Sequence, residues 1–179
     1  MSGAGRALWL VRHAKTAPDP PAGGADRDRR LVARGRQDAD ALGRRLGPRG
    51  DHLGLPSDAG GGLGLVLCST AARALETAER LLAAWPEDER PPLVPRPDLY
   101  GASPDQVLDV VRGMPDETAS VMVVGHNPTM MALAALLATG GADSPFPTAG
   151  VAVYRFGLDR WEDVGQGTAS ELGRFAPPY

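Results

Sequence analysis

The chain has 179 residues, 42% of them hydrophobic, and its 19 Lys and Arg against 22 Asp and Glu leave a formal net charge of -3. Since about 150 residues bury roughly 70% of the unfolded chain's surface, the length suits one domain over 1–179 and leaves little room for two. The slightly acidic balance offers no global positive field, so neither a nucleic-acid partner nor a membrane partner is expected, and any ligand must be held by a local site.

The longest apolar stretch, 130–138, falls far short of the roughly 18 residues of a membrane span, and the N-terminus lacks the layout of a secretory signal. A soluble, cytoplasmic monomer is the expectation. Cys68 is the single cysteine, which excludes an internal disulfide and a multi-cysteine zinc site. All cationic residues but Lys15 are arginines, in a chain with 23 Gly and 17 Pro, so arginine number by itself carries little meaning. Histidine is scarce: His13, His52 and His126.

Residues 7–11 (Ala-Leu-Trp-Leu-Val) predict a strand covered on both faces, ending at Arg12-His13. Next, 17–30 is rich in Pro, Gly, Asp and Arg without an apolar period and reads as a long loop beside a strand end. The spacing of Val32, Ala39, Leu42 and Leu46 predicts a helix over 32–46, stopped at Gly47-Pro48. Residues 49–62, which hold His52, read as a surface excursion. A second buried strand at 63–67 leads into Cys68-Ser69-Thr70, where Ser69 or Thr70 can cap a helix over 71–84.

A short edge strand is expected at 93–95. Ser103, Pro104 and Gln106 read as N-cap, first-turn proline and capping-box glutamine of a helix through Arg112. Residues 120–124 repeat the buried-strand pattern, and Gly125-His126-Asn127-Pro128 then turns into an apolar helix, capped by Asn127, that ends near Thr139. Segments 151–156 and 161–164 look like a hairpin, with a last strand at 169–175.

Repeated strand-then-helix units predict an α/β fold: a three-layer α/β/α sandwich around a mostly parallel sheet, with the strands' carboxyl ends aligned on one edge. Ligands of such sheets bind at that edge. The residues emerging there are Arg12 and His13, then 69–73 with Arg73, then 125–127 with His126. Two guanidinium groups offer planar donors matched to phosphate oxygens, and helix N-termini add backbone N–H groups. Either His13 or His126, as neutral imidazole, is a competent nucleophile. Phosphoryl transfer needs an in-line nucleophile and neutralised oxygens, so the arginines suffice without a metal, and no clustered carboxylates suggest Mg²⁺.

Taken singly, each of these residues has an ordinary explanation: a histidine satisfying backbone groups at a strand end, a solvated helix arginine. Their joint placement on one edge is what carries the functional reading. His52, Arg27, Arg29 and Arg30 default to surface residues, and Met130 and Met131 to the core. Cys68-Ser-Thr-Ala-Ala-Arg73 imitates a cysteine-phosphatase loop but is one residue too short and has no glycine, so Cys68 reads as a small buried strand residue.

Three segments, 10–16 (Leu-Val-Arg-His-Ala-Lys-Thr), 68–78 (Cys-Ser-Thr-Ala-Ala-Arg-Ala-Leu-Glu-Thr-Ala) and 123–128 (Val-Val-Gly-His-Asn-Pro), together resemble the histidine phosphatase superfamily, with its phosphoglycerate mutase-like fold. Ala14 after Arg-His, Lys15 and the short chain are similar to the SixA-type phosphohistidine phosphatase branch. The resemblance implies His13 as the transiently phosphorylated nucleophile, with Arg12, Arg73 and His126 gripping the phosphoryl oxygens. It implies a metal-independent, cofactor-free hydrolysis and a phosphate-bearing substrate, foremost a histidine-phosphorylated signalling or phosphotransfer protein.

One position departs from the pattern. Many members carry an acid, the proton donor to the leaving group, after the third strand; here Leu99-Tyr100 is followed by Gly101, with Asp98 and Asp105 as weak substitutes. Losing such an acid costs about 10²–10⁴-fold for a poor leaving group and little for a good one such as imidazole, which favours phosphohistidine over alkyl esters. Two alternatives remain: a metabolite phosphatase using Arg27, Arg29 or Arg30 for a second anionic group, and a non-catalytic phosphate- or phosphoprotein-binding module.

Overall fold

The computed structural model describes residues 5–55, 62–138 and 144–179. In chain order its elements are β1 (Arg6–Arg12), α1 (Ala33–Leu46), β2 (Leu65–Ser69), α2 (Ala72–Leu82), β3 (Leu93–Arg96), α3 (Pro104–Arg112), β4 (Ser120–Gly125), α4 (Thr129–Leu137), β5 (Val151–Phe156) and β6 (Ala169–Phe175). The expected end of the fourth helix near Thr139, and part of the 49–62 excursion, lie outside the described residues.

The strands form one sheet in the order β3-β2-β4-β1-β5-β6, parallel across the first four and antiparallel at β5 and β6. The interiors of β1 (7–11) and β4 (121–124) are unbroken apolar runs because both faces are covered. Leu8 and Leu10 face a core shared with Val107, Leu108, Met130 and Leu133 of α3 and α4. Trp9 and Val11 face a second core with Leu42, Ala74, Ala78 and Leu81 of α1 and α2. The result is the expected three-layer α/β/α fold. Within it α1 and α2 pack closely because Gly43 is a glycine: a Cβ there would overlap the backbone carbonyl of Leu81.

Three local expectations are corrected. Residues 161–164 are not a strand: Trp161–Asp163 forms a 3-10 turn, and β5 takes β6 as its hairpin partner. Trp161 is fully buried, its backbone N–H donates to Asp116 Oδ1 at 3.0 Å and its indole N–H to the Thr118 carbonyl at 2.8 Å, so the residue anchors a loop instead of alternating across a strand. Asn127 does not cap the fourth helix, because its amide donates to the Phe146 carbonyl at 2.8 Å and Pro128 occupies the cap position. Neither Ser69 nor Thr70 caps α2; Ala71 stands there, and Ser69 Oγ turns to other partners. By contrast, Ser103 and Gln106 form the expected capping box, with Pro104 in the first turn of α3.

Candidate active site

The strand order sets β2, β4 and β1 side by side, and the pairing of Cys68 with Val124 and of Arg12 with Gly125 aligns their carboxyl ends. Ser69, His126 and His13 therefore emerge in a row. β1 and β4 are adjacent, yet the chain leaves them toward opposite faces of the sheet, through α1 and α4; this is the crevice where open α/β sheets hold ligands. Arg12, His13, Arg73 and His126 come together there.

His13 is fixed from three sides. Its backbone N–H donates to the Gly125 carbonyl at 3.0 Å, and its carbonyl accepts from Ala149 N–H at 3.1 Å. Its ring Nδ1 lies 2.8 Å from the Ala14 carbonyl. A carbonyl can only accept, so Nδ1 carries the proton and Nε2 keeps its lone pair. Burial, followed by the positive fields of His126, Arg73 and Arg12, outweighs the Ala14 hydrogen bond and holds the His13 pKa down at about 3. The imidazole is neutral at pH 7, which is the state a nucleophile needs.

Arg12 Nη1 donates to the Phe146 carbonyl at 2.9 Å, the acceptor that Asn127 also uses, while its buried Nε has no partner among the described residues. Burial lowers the Arg12 pKa. Arg73 stands in the first turn of α2 and is buried; its backbone carbonyl accepts from the Thr77 hydroxyl at 2.7 Å, and Thr77 Oγ1 accepts from Ala14 N–H at 3.0 Å. Thr77 thus ties the helix carrying Arg73 to the backbone beside His13.

His126 stacks obliquely on His13, ring centroids 5.2 Å apart and planes at 54°, and meets the edge of Tyr100 at 5.8 Å. Its Nε2 lies 2.7 Å from Ser69 Oγ, and its buried Nδ1 has no partner among the described residues. Burial first, then the fields of Arg73 and Arg12 against that of Asp26, lowers the His126 pKa to about 4. His126 is therefore neutral at pH 7 and not an imidazolium.

Several participants escape the sequence reading. Asp26 folds over the site from the long loop: its carbonyl accepts from Arg73 Nη1 at 2.8 Å and its Oδ2 from Arg73 Nη2 at 3.0 Å. Tyr100 O–H donates to the same Oδ2 at 3.0 Å, and Arg29 holds Oδ1 at 3.0 Å. The only signal in the sequence is a charged Asp-Arg-Asp-Arg-Arg run, which ordinarily means a solvated loop. Arg29 is committed to this loop, while Arg27, Arg30 and His52 are exposed. Neither substitute acid serves the pocket by its contacts: Asp98 pairs with Arg96 and Asp105 is exposed. Gly101 sits at φ 72°, a conformation that glycine takes freely and that strains a side-chain-bearing residue. Cys68 is fully buried, its thiol donates to the Ser69 carbonyl at 3.3 Å, and burial raises its pKa, as suits a structural cysteine. Among the described residues no group of three or more His, Cys, Asp or Glu is placed to hold a metal ion, and no helix is long and apolar enough to cross a membrane.

A family model for the histidine phosphatase superfamily (branch 1) matches residues 8–100. An uncharacterised protein of Mycobacterium tuberculosis, Rv1276c, is 38% identical over 176 residues, spanning 93% of this chain and 99% of the relative. Among solved structures, a protein of Nakamurella multipartitia assigned as the phosphohistidine phosphatase SixA is similar with a TM-score of 0.80 at 27% identity, covering 100% of both chains. One from Agrobacterium tumefaciens with the same assignment gives 0.71 at 29% identity, covering 96% of this chain and 99% of its own.

Proposed function

The chain belongs to the SixA-type branch of the histidine phosphatase superfamily and is a hydrolase with phosphatase activity; within that family we propose that it removes the phosphoryl group from a phosphorylated histidine of a signalling or phosphotransfer protein. The observation that carries this reading is the state of His13. Its Nδ1–H is fastened to the Ala14 carbonyl, which leaves the lone pair on Nε2, its pKa is held at about 3, and His126, Arg73 and Arg12 are its charged or ring neighbours.

In the first step Nε2 attacks phosphorus in line, the bond from phosphorus to the leaving group breaks, and the electron pair departs with that group. Arg73 and Arg12 neutralise the equatorial oxygens, and the unpartnered Arg12 Nε and His126 Nδ1 are the donors that complete the grip. In the second step water attacks phospho-His13, frees phosphate and restores the imidazole. Both steps use cationic side chains where other phosphatases use a metal, and no cofactor enters either of them.

The metabolite-phosphatase alternative calls for a second anion site in the long loop. Of the three arginines it could use, Arg29 is already engaged by Asp26, Thr16 and Ala17, and only the exposed Arg27 and Arg30 are left for that role. A binding module with no turnover has no use for a histidine held neutral and correctly protonated.

The test is phosphate release, with a chelator present, from a histidine-phosphorylated protein and from an alkyl phosphate monoester, for the wild type and His13→Ala. Chelator-resistant release from phosphohistidine, lost in His13→Ala, is expected. Preference for the alkyl ester would establish the metabolite reading, and phosphate binding without release from either would establish the binding module.

A further inference from the structure

The site lacks the usual acid at position 101 but has a carboxylate that the family pattern did not lead us to expect there. We propose that Asp26 accepts the ring N–H of the substrate's phosphorylated imidazole and so lets that ring leave without a proton donor at the departing nitrogen. The proposal rests on the phosphohistidine reading above and specifies how that substrate is chosen.

The geometry comes first. Asp26 is anchored independently of Arg73: Arg29 holds Oδ1, Tyr100 holds Oδ2, and Arg29 is itself tied to the Ala17 carbonyl at 2.9 Å and to Thr16 Oγ1 at 2.6 Å. Tyr100 is steadied in turn, since the neighbouring Ala102 carbonyl accepts the Thr129 hydroxyl of α4 at 2.6 Å. A phosphoryl group binding Arg73 takes over guanidinium N–H groups that Asp26 now uses. Asp26 then keeps Arg29 and Tyr100, and the Oδ2 lone pair released by Arg73 faces whatever is attached to the phosphoryl group. On a phosphohistidine that is an imidazole ring.

The chemistry follows. When the Nε2–P bond to His13 forms and the substrate's P–N bond breaks, the electron pair stays on the departing nitrogen. If the other ring nitrogen carries a proton, the product is neutral imidazole; if it does not, the product is a far less stable imidazolide. A carboxylate beside that N–H favours the protonated ring. The proton stays on the distal nitrogen throughout, and charge balances because the cationic substrate ring becomes neutral as the His13 ring becomes cationic. His13 mirrors the arrangement, its own Nδ1–H resting on the Ala14 carbonyl. An alkyl ester offers no such N–H, and its developing alkoxide would meet a carboxylate whose pKa Arg29, Tyr100 and Arg73 hold at about 2.

The charged and titratable groups around Asp26 are Arg29 on its own loop, Arg73 on α2, Tyr100 before α3 and His126 after β4, with His13 and Arg12 behind them. The group whose protonation the test follows is the substrate's own ring, whose imidazole parent titrates near neutral pH.

The experiment compares wild type with Asp26→Asn on phosphohistidine and on 4-nitrophenyl phosphate, whose phenolate leaves unaided. In Asp26→Asn, kcat/KM for phosphohistidine should fall by about 10²-fold at pH 8 and by less at pH 6, where solvent protonates the ring. For the aryl phosphate it should rise, because Arg73 loses an anionic competitor. Tyr100→Phe, which removes one support of the carboxylate, should move both substrates in the same directions by less, and aryl phosphate turnover reports that each variant is folded. An equal fall on both substrates, or an unchanged phosphohistidine rate, would overturn the proposal. Wild type that hydrolyses the aryl ester but not phosphohistidine would instead overturn the substrate reading, and the role of Asp26 with it.

Discussion

His126 Nε2 and Ser69 Oγ lie 2.7 Å apart in a half-buried contact. Ser69 Oγ also accepts Ala71 N–H at 3.4 Å, and with the serine proton directed at His126 Nε2 the histidine's own proton sits on Nδ1, the arrangement in which Nδ1 donates to the phosphoryl group. Ser69→Ala removes the group that fixes this tautomer and leaves a buried nitrogen unpaired, at about 1–3 kcal/mol. Inorganic phosphate should bind about tenfold more weakly, and ¹⁵N NMR should show His126 moving toward the Nε2–H tautomer. Unchanged ring shifts would remove Ser69 from this role.

Protonation of the two site histidines sets a dependence on pH. Their folded pKa values of about 3 and about 4 lie below the ordinary 6.5, so the unfolded chain binds more protons than the folded one between those limits. This contribution to stability is complete above about pH 6.5 and declines as pH falls through the window. Tm should be level from about pH 8 to 7 and drop toward about pH 5, with a flatter profile in His126→Ala. Turnover of an aryl phosphate should show the complementary effect: kcat/KM reports the free enzyme, so its acid limb should lie below about pH 5 instead of near 6.5. An acid limb at 6.5 would mean that His13 is not held neutral by its surroundings.

Arg73 binds Asp26 through two nitrogens at once, to a carbonyl and to a carboxylate. A lysine carries the same charge but only as a point, without the planar fork. Arg73→Lys should therefore weaken phosphate binding by about tenfold or more in a calorimetric titration while preserving the fold. Affinity like that of the wild type would show that charge alone, and not the fork, holds the phosphoryl group.

The sheet and its edge were legible because their signals are local. Residues 7–11, 63–67 and 121–124 carry no polar side chain, as suits a strand covered on both faces, and each run is followed within two residues by a polar residue that returns at the site, namely Arg12, Ser69 and His126. Asp26 and Tyr100 were not legible, since the contact that matters spans 74 positions and nothing near either residue marks it. Trp161 misled for a related reason: an aromatic three residues before Val164 can suit a strand, but its place in the core depends on Asp116 and Thr118, which belong to another part of the chain. Asn127 likewise has the chemistry of a cap and spends it on Phe146. Elements follow from neighbours in sequence, and the assignment of polar side chains to partners follows from the tertiary fold.

Gly35 joins stability to catalysis and separates them from a control. It is buried in the first turn of α1, where a Cβ would overlap the backbone of Lys15. Lys15 carbonyl accepts Val32 N–H at 3.0 Å, docking α1 on the segment that follows His13, and Ala14, between them, supplies the acceptor for His13 Nδ1. Gly35→Ala should cost about 1–3 kcal/mol of stability through overpacking, and by displacing Lys15 it should also shift the Ala14 carbonyl and lower kcat more than it raises KM. Gly43→Ala makes the same kind of overlap, with the Leu81 backbone at the far end of α1, where no site residue stands. It should lower Tm by a comparable amount with kcat within about twofold of wild type. Equal losses of kcat in the two variants would mean that general destabilisation, and not the placement of the Ala14 carbonyl, accounts for the effect of Gly35→Ala.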